Sequence, residues 1–447
     1  MTRSASLSAW EPEDAAFWAA TGRSVATRNM WTSVFAEHIG FSVWSLWSVL
    51  VLFMTPKAGF ALSQGDKFLL VSLVTLVGAL VRPAYAYAVT RFGGRTWTTA
   101  SALALLIPVI LATVMMGDPH APLGAFLACA AVSGLGGGSF AASTTNINFF
   151  FPDRAKGRAL GINAGGGNLG VATVQLLGLA VIAVAGTSHP RALTVIYLPL
   201  LVAAAICGYA LMDNLPGTRT GGATYARALR DRHCWTISLL YIGTFGSFIG
   251  YSFAFGLVLQ NDFGRSPLQA AGLTFTGPLL GSLTRPAGGA LADRFGAARI
   301  TMTAFTGLAA GTAVAIGASV AHSLPLFTMA FVALFALSGL GNGSTYAMIG
   351  APYAAGAERA IAGGADPAAA RQRARRQAGT VIAFAGTVGG LGGVAINLAF
   401  RQSYLHAHNA RPALAGFLAY YAACAAITVL AGRRQAVATA VPARAAA

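Results

Sequence analysis

Read along its length, the chain alternates long apolar stretches with short polar connections. Twelve stretches are long enough to cross a hydrocarbon core of about 30 Å. They cover residues 30–54, 68–90, 97–116, 122–148, 158–185, 192–212, 235–259, 268–292, 299–319, 325–349, 378–400 and 412–431. The pattern therefore predicts an all-α membrane protein with twelve transmembrane helices. The first 27 residues are polar and carry Glu11, Glu13 and Asp14 where a leader would need an apolar segment. No cleavable signal peptide is expected, and the amino terminus is placed in the cytosol.

Charge gives this pattern a direction. If both termini and every second loop face the cytosol, 22 of the 30 Lys and Arg residues lie on that side and 6 on the other. Such a bias orients the chain with both termini inside. The net charge of +17 is thus a topology signal, and no nucleic-acid partner is called for. Composition agrees: charged residues are only 10% of the chain, and there are 54 Gly, far more than the roughly 31 expected at ordinary usage. Abundant glycine suits closely packed membrane helices. The four cysteines, Cys129, Cys207, Cys234 and Cys424, are far apart and suggest neither a disulfide framework nor a metal site.

Two basic residues fall on neither side, and they belong to an internal repeat. Arg82-Pro83 is followed nine residues on by Arg91-Phe92-Gly93, and Arg285-Pro286 is followed nine residues on by Arg294-Phe295-Gly296. A second pair relates 133–139 to 338–344, and a third relates 166–172 to 389–395, the larger shift reflecting an insertion in 350–377. The chain is therefore expected as a cytosolic tail (1–27), a six-helix bundle (28–212), a linker (213–234), a second six-helix bundle (235–431) and a cytosolic tail (432–447). The two parallel bundles are pseudo-symmetric, with a substrate site expected between them near mid-bilayer.

Nine residues of helix rise is about 14 Å, half the core, so Arg82 and Arg285 lie near the midplane. The same ruler brings Glu37, Tyr241 and Asn168 to that level. A mid-membrane arginine costs on the order of 2.5 to 3.5 kcal/mol. Glu37 is the one acidic residue within a span, so the two arginines are not both neutralised by the protein. Either they bind backbone carbonyls to tie helices together, or they form an anion site whose negative charge arrives with the substrate. The flat guanidinium fork suits an oxyanion. Phe140, Tyr241 and Phe245 nearby suit a small delocalised ion held between rings, although such residues also serve as plain packing.

Gly288-Gly289-Ala290-Leu291-Ala292-Asp293-Arg294-Phe295-Gly296 resembles the loop motif of the major facilitator superfamily. Arg82-Pro83-Ala84-Tyr85, Asn146-Ile147-Asn148-Phe149-Phe150-Phe151-Pro152, the stretch 161–170 and Thr244-Phe245-Gly246-Ser247-Phe248-Ile249-Gly250 resemble the bacterial nitrate/nitrite porter branch. The resemblance runs from about Arg28 to Phe400. It implies that Arg82 and Arg285 are the primary anion ligands, Asn168 and Tyr241 neutral hydrogen-bond partners, and Phe140 and Phe245 an aromatic clamp. It also implies residence in the bacterial inner membrane and no cofactor.

Two glycine groups, Gly161, Gly165, Gly166, Gly167 and Gly170 in the fifth stretch and Gly386, Gly389, Gly390, Gly392 and Gly393 in the eleventh, suggest helices that slide or bend during alternating access. Static close packing is the plainer account. Glu37 and His38 depart from what nitrate/nitrite exchange requires and are candidates for proton coupling, with a packing hydrogen bond as the other reading of His38. The basic run Arg371, Arg373, Arg375 and Arg376 is expected to anchor on anionic lipid after a helix start at Asp366-Pro367. The expected activity is monomeric, non-enzymatic carriage of nitrate and nitrite, by nitrate/nitrite antiport or nitrate/proton symport. A carrier of another small anion on the same scaffold, or a nitrate sensor, are the alternatives.

Overall fold

A computed structural model describes residues 10–187, 189–215 and 230–444. Among these, the spanning helices are α1 (Ala15–Phe53), α2 (Gln64–Phe92), α3 (Gly94–Met115), α4 (Leu123–Phe150), α5 (Asp153–Ala185), α6 (Arg191–Leu211), α7 (Arg232–Phe263), α8 (267–295), α9 (Ala297–Val320), α10 (Leu324–Ala347), α11 (Pro367–Ala407) and α12 (Arg411–Arg444). All but α8 are long and apolar enough to qualify as spans on composition. α8 carries Arg285, Asp293 and Arg294 and is stepped at Phe275, yet it packs along α10 and α5 as a full member of the second bundle.

Local chemistry sets the helix ends. Ser63 with Asp66 and Ser266 with Gln269 form reciprocal capping boxes at α2 and α8, the latter with Pro267 in the first turn. The Asp366 side chain accepts from the Ala369 amide at 2.7 Å, so α11 starts at the expected cap, with Pro367 at its first position. The turn glycines of the repeat motif are equivalent in shape as well as sequence. Gly93 (φ 85°) and Gly296 (φ 93°) both take backbone angles that a side chain would oppose, turning α2 into α3 and α8 into α9.

Several ends differ from expectation. α1 begins at Ala15 through a π turn at Trp18–Gly22, so part of the expected tail is helical. α11 begins at Pro367, which makes the basic run its first turns; the side chain of Arg375 lies outside the described residues. The short helix Ala351–Ala362 fills the insertion. The carboxyl segment, expected as a tail after the twelfth span, continues α12 to Arg444, because its Ala-rich sequence favours helix. Most of the expected linker, 216–229, lies outside the described residues.

The bundles meet along α2 with α11, α5 with α8, and α1 with α7. In the half remote from the termini they are sealed. Residues 39–53 of α1 and 247–259 of α7 are all buried. Trp44 lies edge-on to Phe253 at 5.6 Å, Phe68 stacks on Tyr404 at 5.3 Å, and Gln175 Nε2 donates to the Ser252 carbonyl at 2.9 Å. Toward the termini the contact loosens. A methyl built on Gly390 would lie 2.9 Å from Ala79 Cβ and one on Gly386 3.9 Å from Arg82 Nη1, whereas one on Gly379 would meet nothing within 4 Å. On α5 the same series runs from Gly165, 3.7 Å from Pro286, to Gly161 and Gly157, which face open space. The cleft between the bundles therefore opens toward the termini.

Candidate functional site

Both arginines sit at deliberate irregularities. α2 is interrupted at Val81, and Arg82 begins its second segment with Pro83 in the first turn; Arg285 precedes Pro286 inside α8. A proline removes one backbone donor and loosens the helix where it sits. Close by, α4 tightens to a 3-10 turn at Gly134–Gly138 just before Phe140, and α7 widens to a π turn at Ile242–Gly246 that carries Phe245. Such local changes of helix pitch are frequent at functional sites.

These irregularities bring the expected residues together. The Phe140 and Phe245 rings, one from each bundle, stack with centroids 6.3 Å apart. The Arg82 guanidinium lies 5.5 Å from the Phe140 ring and 4.8 Å from the Phe245 ring, and that of Arg285 lies 5.6 and 5.9 Å from the same two. Tyr241 stacks on Phe245 at 5.3 Å, and its hydroxyl accepts from Arg285 Nη2 at 3.1 Å. Two cations therefore share one aromatic pair at the junction of the bundles, in the range where ring quadrupoles attract them.

Charge balance at this point is incomplete. Arg82 and Arg285 are 2% and 5% exposed, and neither forms an ion pair among the described residues. Arg82 donates from Nη1 to the Gly386 carbonyl at 2.6 Å and from Nε to the Gly137 carbonyl at 3.3 Å, so the carbonyl-binding reading holds for part of this side chain. Arg82 Nη2 and Arg285 Nη1 remain buried and unpartnered. Unsatisfied buried donors are costly, and on cations more so. Asn168 is fully buried with both amide atoms unpartnered, and it does not hydrogen bond to either arginine.

Glu37, expected at the same level, is buried and points elsewhere. Its Oε2 accepts from the Ser143 hydroxyl, and Oε1 lies against Gly167 of α5 without a hydrogen-bond partner. His38 turns to α5, where its Nδ1 pairs with the Gly166 carbonyl at 3.0 Å, which is the packing contact foreseen for it. The glycines divide by face. Gly166, Gly167 and Gly170 receive Val34, Glu37 and the His38 carbonyl of α1, and Gly389 and Gly392 receive Tyr241 and Ile242 of α7, all within a bundle. Gly165, Gly386 and Gly390 face the opposite bundle, Gly161 looks into open space, and Gly393 touches both Ile249 of α7 and Thr75 of α2.

Sequence reading missed four neighbours. Trp44 lies 5.6 Å from the Arg82 guanidinium, Tyr346 lies 6.4 Å from Tyr241, and Ser143 and Asn163 surround Glu37. Asn342 also escaped notice, although the repeat marks it: it replaces Gly137 in the second copy, and both of its amide atoms are buried without a partner.

Comparison with known proteins speaks to the fold and the family. The sequence model of the Major Facilitator Superfamily matches residues 30–397. The chain is 36% identical over 455 residues to the nitrate/nitrite transporter NarU of Salmonella typhimurium, covering 96% of each protein. It is 34% identical to NarU of Escherichia coli over 95% of this chain and 96% of that protein. It is 32% identical to a probable nitrate/nitrite antiporter, NarK2, of Thermus thermophilus over 75% of this chain and 80% of that protein. Among solved structures, the human organic anion transporter MFSD10 superposes with a TM-score of 0.64 at 13% identity, over 91% of this chain and 99% of that one, which speaks to the fold. The chain belongs to the major facilitator superfamily and, within it, to the bacterial nitrate/nitrite porter family.

Proposed function

We propose that this protein carries nitrate and nitrite across the bacterial inner membrane by alternating access, as a carrier and not an enzyme. The carrying observation is the pair of buried guanidinium groups over one aromatic pair, each with an unpartnered Nη. A small planar anion between them supplies the missing negative charge and accepts from both forks, while the rings favour a delocalised, weakly hydrated ion. Arg82 and Arg285 are the proposed ligands, Tyr241 orients Arg285, Phe140 and Phe245 form the clamp, and Asn168 offers its free amide when the cleft rearranges. The NarU relatives are named for the same two anions.

The charge bias supports cytosolic termini, and with that orientation the cleft is inward-facing. The glycine faces that look across the bundles are the surfaces over which they rock. The basic first turns of α11 rest on anionic lipid, and the unit of function is the monomer. Glu37 is the proposed proton carrier: protonated when the anion neutralises the arginines, ionised when the site is empty. His38, held by the Gly166 carbonyl, has the packing role.

Counterflow of labelled nitrate into proteoliposomes preloaded with nitrate or nitrite tests the carrier reading. Accumulation with either internal anion is expected. Binding of nitrate without counterflow would instead mark a sensor, and counterflow only with other anions would move the site to a different substrate.

A further inference from the structure

Resting on the proton-carrier reading of Glu37, we infer that the first bundle contains a dedicated proton route to this residue, built around a one-water chamber separate from the anion cleft. The chamber lies between α1, α3, α4 and α6 and measures about 20 Å³, room for one water. Its polar wall consists of Glu37, Ser33, Thr98, Ser101, Ser139 and Ser143; neither arginine lines it. Ser33, Ser101 and Ser143 are already hydrogen-bonded, but each keeps a lone pair, enough for the two to four partners that a buried water needs.

Depth gives the chamber a direction. Ser33 is five residues from Arg28 and Thr98 is three from Arg95, so at 1.5 Å per residue they lie about 5 to 8 Å from the basic, cytosolic surface, with Glu37 at about 14 Å. Asn146 Nδ2 donates to the Ser33 hydroxyl at 3.2 Å, and Asn146 also packs on Gly94 at the start of α3. Polar groups thus run from the surface to the carboxyl through the interior of the bundle.

Ser143 joins the chamber to Glu37 and accommodates both charge states. Its Oγ contacts Glu37 Oε2, lies 3.0 Å from the Phe140 carbonyl and accepts from Asn163 Nδ2 at 2.8 Å. With Glu37 ionised, the hydroxyl donates to the carboxylate. With Glu37 protonated, the acid donates to the hydroxyl, which turns its hydrogen to the Phe140 carbonyl. On release the acid O–H bond breaks, the proton passes through Ser143 and the chamber water to cytosolic water, and the carboxylate stays to offset the arginines. Arg285 of α8 and Arg82 of α2 are the cations acting on Glu37, and the adjacent His38 is occupied by α5. The chamber residues from α3, α4 and α6 are hydroxylic or apolar.

Proteoliposomes loaded with a pH dye and given a nitrate gradient test this. Glu37→Gln should abolish nitrate-coupled proton flux and keep nitrate/nitrite counterflow. Ala102→Val fills the chamber, and Thr98→Val removes one hydroxyl at constant shape; each should slow proton flux about fivefold or more with counterflow within about twofold. Absence of proton flux in the unmodified protein would remove the proton-carrier reading and this route with it. Flux lost in Glu37→Gln but unchanged in both chamber variants would overturn the route alone. Should Ala102→Val misfold, Thr98→Val decides, and an equal fall of flux and counterflow in it would overturn the route by making the wall merely structural.

Discussion

The two bundles solve the problem of a buried arginine differently. Arg285 is held inside its own bundle by the Tyr241 hydroxyl of α7. Arg82 is held by two carbonyls, one of which, Gly386, belongs to α11 of the other bundle. The positions at the same depth in α1 and α7 are Glu37 and Tyr241, nine residues from Arg28 and Arg232 respectively. Tyr241 turns to its arginine, whereas Glu37 turns to Ser143, away from Arg82. The pseudo-symmetry is thus divided: the second bundle orients its proposed ligand Arg285 through Tyr241, and the first ties its proposed ligand Arg82 to the partner bundle and turns its carboxyl to Ser143. In the proposed rocking cycle a guanidinium bonded across the cleft would have to break or remake that bond, which would make Arg82 responsive to conformation as well as to the proposed anion.

The strongest attempt to break the comparison is Arg→Lys on each side. Either replacement loses the planar fork, and nitrate uptake should fall at least about a hundredfold in both. Near-normal uptake by either variant would remove the bidentate argument for that side. Tyr241→Phe sharpens the contrast. It keeps the ring stack and loses one charge-assisted hydrogen bond, about 1.5 kcal/mol, so nitrate affinity should weaken roughly tenfold in a binding assay. Glu37→Gln should not weaken that affinity, since the residue turns from the anion to Ser143 and its neutral form removes a charge that competes with the anion for the arginines. Equal losses at the two positions would restore the symmetry claimed here to be broken.

How far this division can be read without coordinates depends on what carries each part. Arg82 and Arg285 were legible because a charge nine residues inside a hydrophobic run has few innocent explanations, and the Arg-Phe-Gly spacing tied the two copies together. The site level followed from helix rise alone. The latch from Arg82 to Gly386 was not legible, since a backbone carbonyl has no signature in sequence. Nor was the chamber, whose serines and threonine are scattered over α1, α3 and α4 and meet only after folding. The glycines announced close packing but not which helix each one faces. α8 was among the twelve apolar stretches read from the sequence, although on composition it falls short of the other eleven.

The glycine faces provide the finest test, because they compare the tight and open ends of one interface. A methyl on Gly390 would lie 2.9 Å from Ala79 Cβ, so Gly390→Ala must push α2 and α11 apart beside Arg82, whose Cζ would be 3.7 Å from the new methyl. A cost of about 1 to 3 kcal/mol is expected, read as reduced thermal stability and weaker nitrate binding. Gly161 faces open space, so Gly161→Ala should leave stability within about 1 kcal/mol or raise it slightly, alanine being the better helix former. If α5 and α8 close over that face in the opposite state, the added methyl acts only there. Nitrate binding should then survive in Gly161→Ala, and more clearly in Gly161→Leu, while the transport rate drops. Unimpaired transport by Gly161→Leu would show that this face never closes, leaving the glycines of α5 with their static contacts to α1 as their whole purpose.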